Sequence, residues 1–414
     1  MQSKQSTHTG TCYGEAMTRI SSSRTIISAR TILLWLTCVY AILLPIGTGL
    51  AGIIGSISLM NYIAVAMILF GSIALLSNKN IFIKKFSLPT IAYFIYTAVS
   101  ILWAQDIVFN WYVATNIMNG IIFLVLSCFD WEEKDIRGIE KSILLSQIIV
   151  IIAVIRNISS LFSYRLNITI VSTIGISDFA CGLCLMIALW MNIASTSEQK
   201  RMKVLAYISV AVDFAIILMS GSRGALIMVV CMALVWILMG AFGAKTKAIT
   251  ILSIILVIFI FENYFISYLP ATVTNRMSLQ AIQETHGSGR FNLWTLAWND
   301  FKASNIGRMM FGYGFDSFTN VIGYGSHGGS RDMMAHNVIF QTMIEGGVIG
   351  LILLSWMVIS QFKIAAQNKD YLMKIALVGL FVASLSIDMQ VTRIWGFILA
   401  FNCMRQRCNN ILQS

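Results

Sequence analysis

Proline is almost missing from this chain, with 3 in 414 residues, and charged side chains make up only 11% of it. A soluble domain carries roughly 25% charged residues, so the second shortage excludes an ordinary water-facing surface. The first leaves long helices uninterrupted. Also missing are short stretches of alternating apolar and polar residues, the mark of a membrane β-barrel. The eight cysteines make no disulfide framework. Cys38, Cys128, Cys231 and Cys403 fall in or beside apolar runs, and Cys12 and Cys408 lie in the tails. Cys181 and Cys184 form a Cys-x-x-Cys inside an apolar stretch, with no second pair or histidine nearby to complete the four ligands that zinc takes. Neither a metal nor another cofactor is expected.

What is present is hydrocarbon. Hydrophobic residues make up 57% of the chain, and the mean hydropathy is +0.78. Runs of about 20 apolar residues, the length that crosses ~30 Å of lipid, recur at 31–50, 56–76, 88–104, 112–128, 142–160, 172–194, 204–220, 224–243, 248–268, 337–361, 372–388 and 391–404. The expected fold is an all-α polytopic membrane protein of about twelve transmembrane helices. Its expected organisation is a polar tail at 1–30, helices one to nine over 31–268, a long outer loop at 269–335, helices ten to twelve over 336–404, and a second tail at 405–414. The run after Arg30 has no small-residue cleavage site and reads as a retained helix.

The net charge of +11 belongs to topology rather than to nucleic acid, which is not an expected partner. With the N-terminus inside, twenty of the 29 basic residues, among them Lys84, Lys85, Arg137, Lys200, Arg201 and Arg405, face the cytoplasm, as the positive-inside rule requires. The turn at 221–224, the 269–335 loop and His336 then share the outer face. Within the loop, Phe291, Trp294, Trp298 and Phe301 have helical spacing and predict an amphipathic helix.

Arg223 lies between Ser222 and Gly224 at a junction of two apolar runs. A lone arginine there can snorkel to headgroups, but flanking glycines leave its fork of donors uncrowded for a phosphate. Arg290, behind Gly287-Ser288-Gly289, opens the amphipathic helix, where anions are already favoured; a solvated loop arginine is the plainer reading. His336 precedes the helix that re-enters the bilayer, and a neutral imidazole there can take a proton from a hydroxyl. His286 and His327 compete for that role by composition. Arg276, Arg308 and Arg331 have nothing special around them. Glu345, nine residues past His336, is a costly intramembrane carboxylate that suits bracing an arginine or holding the bend that Gly346 and Gly347 permit. Asp178, Asp213, Glu262 and Asp388 are further acids at membrane depth without an assigned role.

Taken in order, Ser222-Arg223-Gly224-Ala225, Gly289-Arg290-x-x-x-Trp294, Gly312-Tyr313-Gly314-Phe315, His336-Asn337-x-x-x-Gln341 and Glu345-Gly346-Gly347-x-x-Gly350 resemble the O-antigen ligase and O-antigen or exopolysaccharide polymerase superfamily of bacterial inner membranes. The resemblance is clearest over 205–355, with Ser100-x-x-Trp103-Ala104-x-Asp106 as a further match. It implies a metal-independent glycosyltransferase of the GT-C type. Such an enzyme moves a glycan from undecaprenyl diphosphate to a sugar hydroxyl on the periplasmic side, the acceptor being a glycan or lipid A-core. By position His336 matches the family's catalytic histidine, and Arg223 and Arg290 match its diphosphate-binding arginines, with Arg276 and Glu345 as supporting candidates. Ligation onto lipid A-core is the first expectation and polymerisation of repeat units the second. A flippase or exporter of polyprenyl-linked sugars is the alternative from another class. It should spread its cations along a central cavity rather than gather them at one face.

Overall fold

The computed structural model describes residues 29–53, 58–77, 87–240 (apart from 106, 108, 109, 130 and 161–165), scattered positions between 244 and 259, 289–323 and 334–411. Every regular element among these residues is helical, and one isolated bridge pairs Thr169 with Thr173. In chain order the helices are α1 (Ala29–Leu50), α2 (Leu59–Ser77), α3 (Leu88–Ser100), α4 (Asn110–Ser127), α5 (Glu133–Asn157), α6 (Ile176–Gly182), α7 (Cys184–Thr196), α8 (Lys200–Ser220) and α9 (Arg223–Met239). Next come α10 (Arg290–Ala303) and α11 (Ile306–Phe311), then α12 (Val338–Gln367), α13 (Tyr371–Ala383) and α14 (Arg393–Ile411).

Helices thus stand where the apolar runs lie. Apart from 248, 252 and 259, the run at 248–268 falls outside the described residues, as do the tail at 1–28, Asp106, Glu262, Arg276, His286, His327 and Arg331. Among the described residues six helical stretches are long and apolar enough to cross a membrane: α1, α2, α5, α6 with α7, α8 and α12. The apolar helices α3, α4, α9 and α13 are shorter. The last helix runs beyond the apolar run at 391–404, to Ile411.

The continuous stretch of α6 and α7 is the centre of the bundle. From Phe179 to Met191 its side chains are buried with few breaks, as a helix apolar on all sides requires. Cys181 and Cys184 are fully buried packing residues in it. Asp213 on α8 is enclosed as well, and one of its oxygens accepts from Gln147 Nε2 at 2.8 Å while Gln147 Oε1 accepts from Trp190 Nε1 at 3.0 Å. That relay ties α8 to α5 and α7, a bracing role for an acid the sequence left unassigned.

Two local breaks set up the end of the bundle that carries His336. Helix α8 stops at Gly221, which sits in the left-handed region at φ 63°, a conformation that glycine adopts without steric cost. Helix α12 is interrupted at Gly347, φ 62° and ψ −159°. A Cβ there would lie 2.6 Å from the backbone of Gly312 and of Met309. The segment 338–346 therefore leaves the line of the long helix and packs with α10 and α11 as an outer layer.

Candidate active site

His336 lies at the seam between that outer layer and the bundle. The next residue, Asn337, caps α12: its Oδ1 accepts from the N–H of Ile339 at 2.9 Å, and its Nδ2 donates to the carbonyl of Leu385 at 3.1 Å. The N–H of Val338 donates to the carbonyl of Ser384 at 2.8 Å. These bonds clamp the start of α12 onto the turn after α13. His336 is forced into the left-handed region, φ 49°, an uncommon conformation for a residue with a Cβ and one that has to be held by its surroundings.

The clamp brings Asp388 to the imidazole. Asp388 Oδ2 lies 3.1 Å from His336 Nδ1; the carboxylate is 6% exposed and the imidazole 45%. A carboxylate on Nδ1 holds the proton there and leaves the Nε2 lone pair free as an acceptor. The imidazole is accordingly oriented from behind and open in front. The other carboxylate oxygen, Oδ1, is buried and has no hydrogen-bond partner, which is costly in a satisfied interior.

Arg290 lies within electrostatic range of the same carboxylate. It opens α10 behind Gly289, which takes φ 80°. One turn along, Trp294 Nε1 donates to the carbonyl of Ala335 at 2.8 Å, and its ring stacks on Phe340 at 5.5 Å. The spacing Arg-x-x-x-Trp puts both residues on one face, so docking Trp294 beside Ala335 delivers Arg290 to the His336 region. Burial pulls the Arg290 guanidinium below its ordinary pKa, and the charges of Asp388 and Cys181 oppose that. Asp178, exposed near the start of α6, is within electrostatic reach of both Asp388 and His336.

Arg223, half-buried, is the first residue of α9. Ser222 Oγ donates to Ser177 Oγ at 3.3 Å, next to Asp178. A Cβ on Gly224 would meet Ser386 Oγ at 1.8 Å, so only glycine lets the start of α9 close on the 384–388 turn. His336, Arg290, Asp388, Asp178 and the Arg223 turn are thereby gathered from five remote stretches of chain.

Among the described residues no guanidinium pairs with Glu345. Gln341 Nε2 donates to its Oε1 at 2.7 Å, and Gln341 Oε1 accepts from the N–H of Ala335 at 2.9 Å. The carboxylate also takes a bond from the Phe318 backbone. Glu345 therefore braces the segment that carries His336. Arg276 lies outside the described residues. A helix does form over Arg290–Ala303, and its aromatic residues are divided. Phe301 is buried, Trp294 docks, and Phe291 and Trp298 stay exposed.

Sequence reasoning named Asp388 and Asp178 but gave them no role. Their one local signal is an ionisable side chain at membrane depth. The pairing of Asp388 with His336 spans 52 residues (388 − 336) and depends on how the 384–388 turn is held.

The family model described as O-antigen ligase matches residues 208–355. That interval takes in Arg223, Arg290, His336 and Glu345 and ends before Asp388. No curated protein matches the chain.

Proposed function

We propose, from the match of residues 208–355 to the O-antigen ligase model, that the chain is a member of the O-antigen ligase and polysaccharide polymerase superfamily and transfers a glycan from undecaprenyl diphosphate to a sugar hydroxyl. Within this reading the chain spans the bacterial inner membrane about twelve times, the site faces the periplasm, and lipid A-core is the acceptor. The observation that carries the proposal is the His336–Asp388 pair, 3.1 Å apart, with Arg290 in the field of the same carboxylate.

The chemistry follows from the residues. His336 Nε2 takes the proton of the acceptor hydroxyl as that oxygen forms its bond to the anomeric carbon. The bond from that carbon to the diphosphate oxygen breaks, and the polyprenyl diphosphate leaves with the electron pair. Asp388 steadies the imidazolium that results. Negative charge grows on the leaving group, and fixed cations in a water-poor site stabilise it where it develops. Arg223 and Arg290 supply them, as planar forks that fit phosphate oxygens in pairs.

The test is an assay with purified protein, lipid-linked donor and acceptor. His336→Ala is expected to abolish transfer while insertion and unfolding temperature stay as in the parent. Transfer that survives this change overturns the assignment of the base. Ligation and polymerisation share this chemistry, and a deletion strain separates them. Lipid A-core left bare, with full-length polymer on the carrier, marks a ligase. A single repeat on the core marks a polymerase.

A further inference from the structure

Two sequence motifs remain outside the reaction, and the structure joins them. Ser100 Oγ accepts from the N–H of Phe315 at 3.0 Å, and the N–H of Gln105 lies 3.3 Å from the carbonyl of Tyr313 and 3.1 Å from Ser317 Oγ. Gly314 takes φ 97°, and a Cβ on it would stand 2.4 Å from Ala104 Cα. The end of α3 and the Gly312-Tyr313-Gly314-Phe315 loop are thus locked together.

Beside this lock lies a pocket of about 500 Å³, within the usual size range of ligand sites, lined by Tyr96, Trp103, Gly307, Arg308 and Phe311. The Tyr96 hydroxyl is already spent on the carbonyls of Phe311 (3.0 Å) and Gly346 (2.8 Å), so the ring offers only its face. The cation is Arg308, held 5.0 Å over the Tyr313 ring. Its Nη1 reaches the carbonyls of Trp103 and Gly312 only at 3.5 Å, at the weak limit of a hydrogen bond. Among the described residues no carboxylate pairs with it. Phe311 of the lining is 51% exposed, and the chain neighbours of the lining residues Trp103 and Gly307 are bare as well: Leu102 is 85% exposed and Ile306 80%. A cation ringed by aromatic faces and bare aliphatic side chains suits the boundary between headgroups and acyl chains. Tyr96 ties the pocket wall to the carbonyl of Gly346, the residue before the α12 break, and none of the residues that line the pocket belongs to the His336 cluster.

We propose that this pocket is a second lipid site, which takes one phosphate-bearing lipid. The phosphate pairs with Arg308, and the hydrocarbon lies over Trp103, Phe311 and Leu102. Anionic phospholipid of the surrounding membrane and a polyprenyl phosphate share this chemistry. The site stands whether or not the transfer reaction is as proposed.

The experiment uses the full-length protein in phosphatidylcholine vesicles doped with photoreactive phosphatidylglycerol, with cross-links mapped by mass spectrometry. Labelling is expected to concentrate on Trp103, Ile306 and Phe311. Arg308→Gln should cut it about tenfold, the loss of one charge-assisted hydrogen bond, and Arg308→Lys should cut it less. Gly307→Leu keeps the charge but fills the pocket, since a Cβ there meets only Asn305 Oδ1, at 3.3 Å; it should reduce labelling to a similar degree. Competition on the unaltered protein covers the case in which a variant fails to fold. Excess phosphatidylglycerol that displaces the probe identifies bulk phospholipid, and undecaprenyl phosphate that displaces it at far lower concentration identifies the carrier. Labelling that is uniform over the surface, equal in all variants, or displaced by a soluble glycan and by neither lipid overturns the proposal.

Discussion

The two ends of the bundle each hold an arginine among carboxylates, and they are built differently. At one end Arg405 uses every arm of its fork. Nε donates to Asp370 Oδ2 at 2.5 Å, Nη2 lies 3.3 Å from Oδ1 of the same residue, and Nη1 bonds Glu140. Asp370 also caps α13 through the N–H of Met373 at 3.2 Å. That cluster is closed, and it ties α5, α13 and α14 together. At the other end Asp388 keeps one buried oxygen unbonded, His336 is half exposed with a left-handed backbone, and Arg290 meets Asp388 only through the field. A saturated network holds helices. An unsaturated one is strained in place by its neighbours and has capacity left for a ligand.

Breaking each end should give opposite results, and the largest effect belongs to the one that holds His336. Asp388→Asn presents an amide to Nδ1 that can donate where the carboxylate accepted. The imidazole then carries its proton on Nε2 and cannot act as a base. We expect transfer to fall by about 10²–10⁴-fold, the usual worth of a positioned base, with an unfolding temperature near that of the parent. Single-turnover rates across a pH series check this. A variant with the parent rate and pH profile would remove Asp388 from the mechanism and leave a purely structural turn.

Arg405→Ala should do the reverse. It strands Asp370 and Glu140 in a part-buried site, at a cost of about 3 kcal/mol. Thermal unfolding in detergent should show the loss, while turnover per folded molecule stays near the parent value. If turnover falls and stability does not, the contrast between closed and open clusters is wrong.

Arg290→Lys sharpens the comparison at the His336 end alone. The charge remains and the planar fork is lost, so use of donor should weaken by about tenfold. Arg290→Ala should be worse, and the same order is expected at Arg223. Competition by a soluble polyprenyl diphosphate analogue measures it. Equal inhibition of Arg, Lys and Ala forms would mean that neither guanidinium touches the diphosphate.

The sequence made some of this legible and not the rest, for physical reasons. Helices follow from runs of apolar residues that lipid demands, so their positions could be read along the chain. His336, Arg223 and Arg290 could be singled out because each marks a helix end beside glycine or asparagine, and the turn chemistry is local. Asp388 could not be assigned, because what makes it a partner is the clamp of Asn337 and Val338 on Leu385 and Ser384, a contact between segments about fifty residues apart. The meeting of Gly314 with Ala104 was hidden in the same way. Glu345 could be read both as brace for an arginine and as keeper of a bend, since an acid's cost in lipid does not reveal which donor meets it.

That ambiguity sets the smallest of the effects. If Glu345 only braces, Glu345→Gln should be tolerated. The new amide oxygen can accept from Gln341 as the carboxylate does, which preserves the relay to the Ala335 N–H behind His336. Its NH2 then faces the donor of the Phe318 backbone, an unmade bond worth about 1 kcal/mol. A slightly lowered unfolding temperature with at most a few-fold loss of transfer is the expected result. Glu345→Ala, which cuts the relay and leaves Gln341 without an acceptor, should lose more of both, and in step, because the His336 segment loosens as the fold does. A large loss of transfer in Glu345→Gln at unchanged stability would mean that the charge itself is used, and would move Glu345 from the scaffold into the reacting cluster.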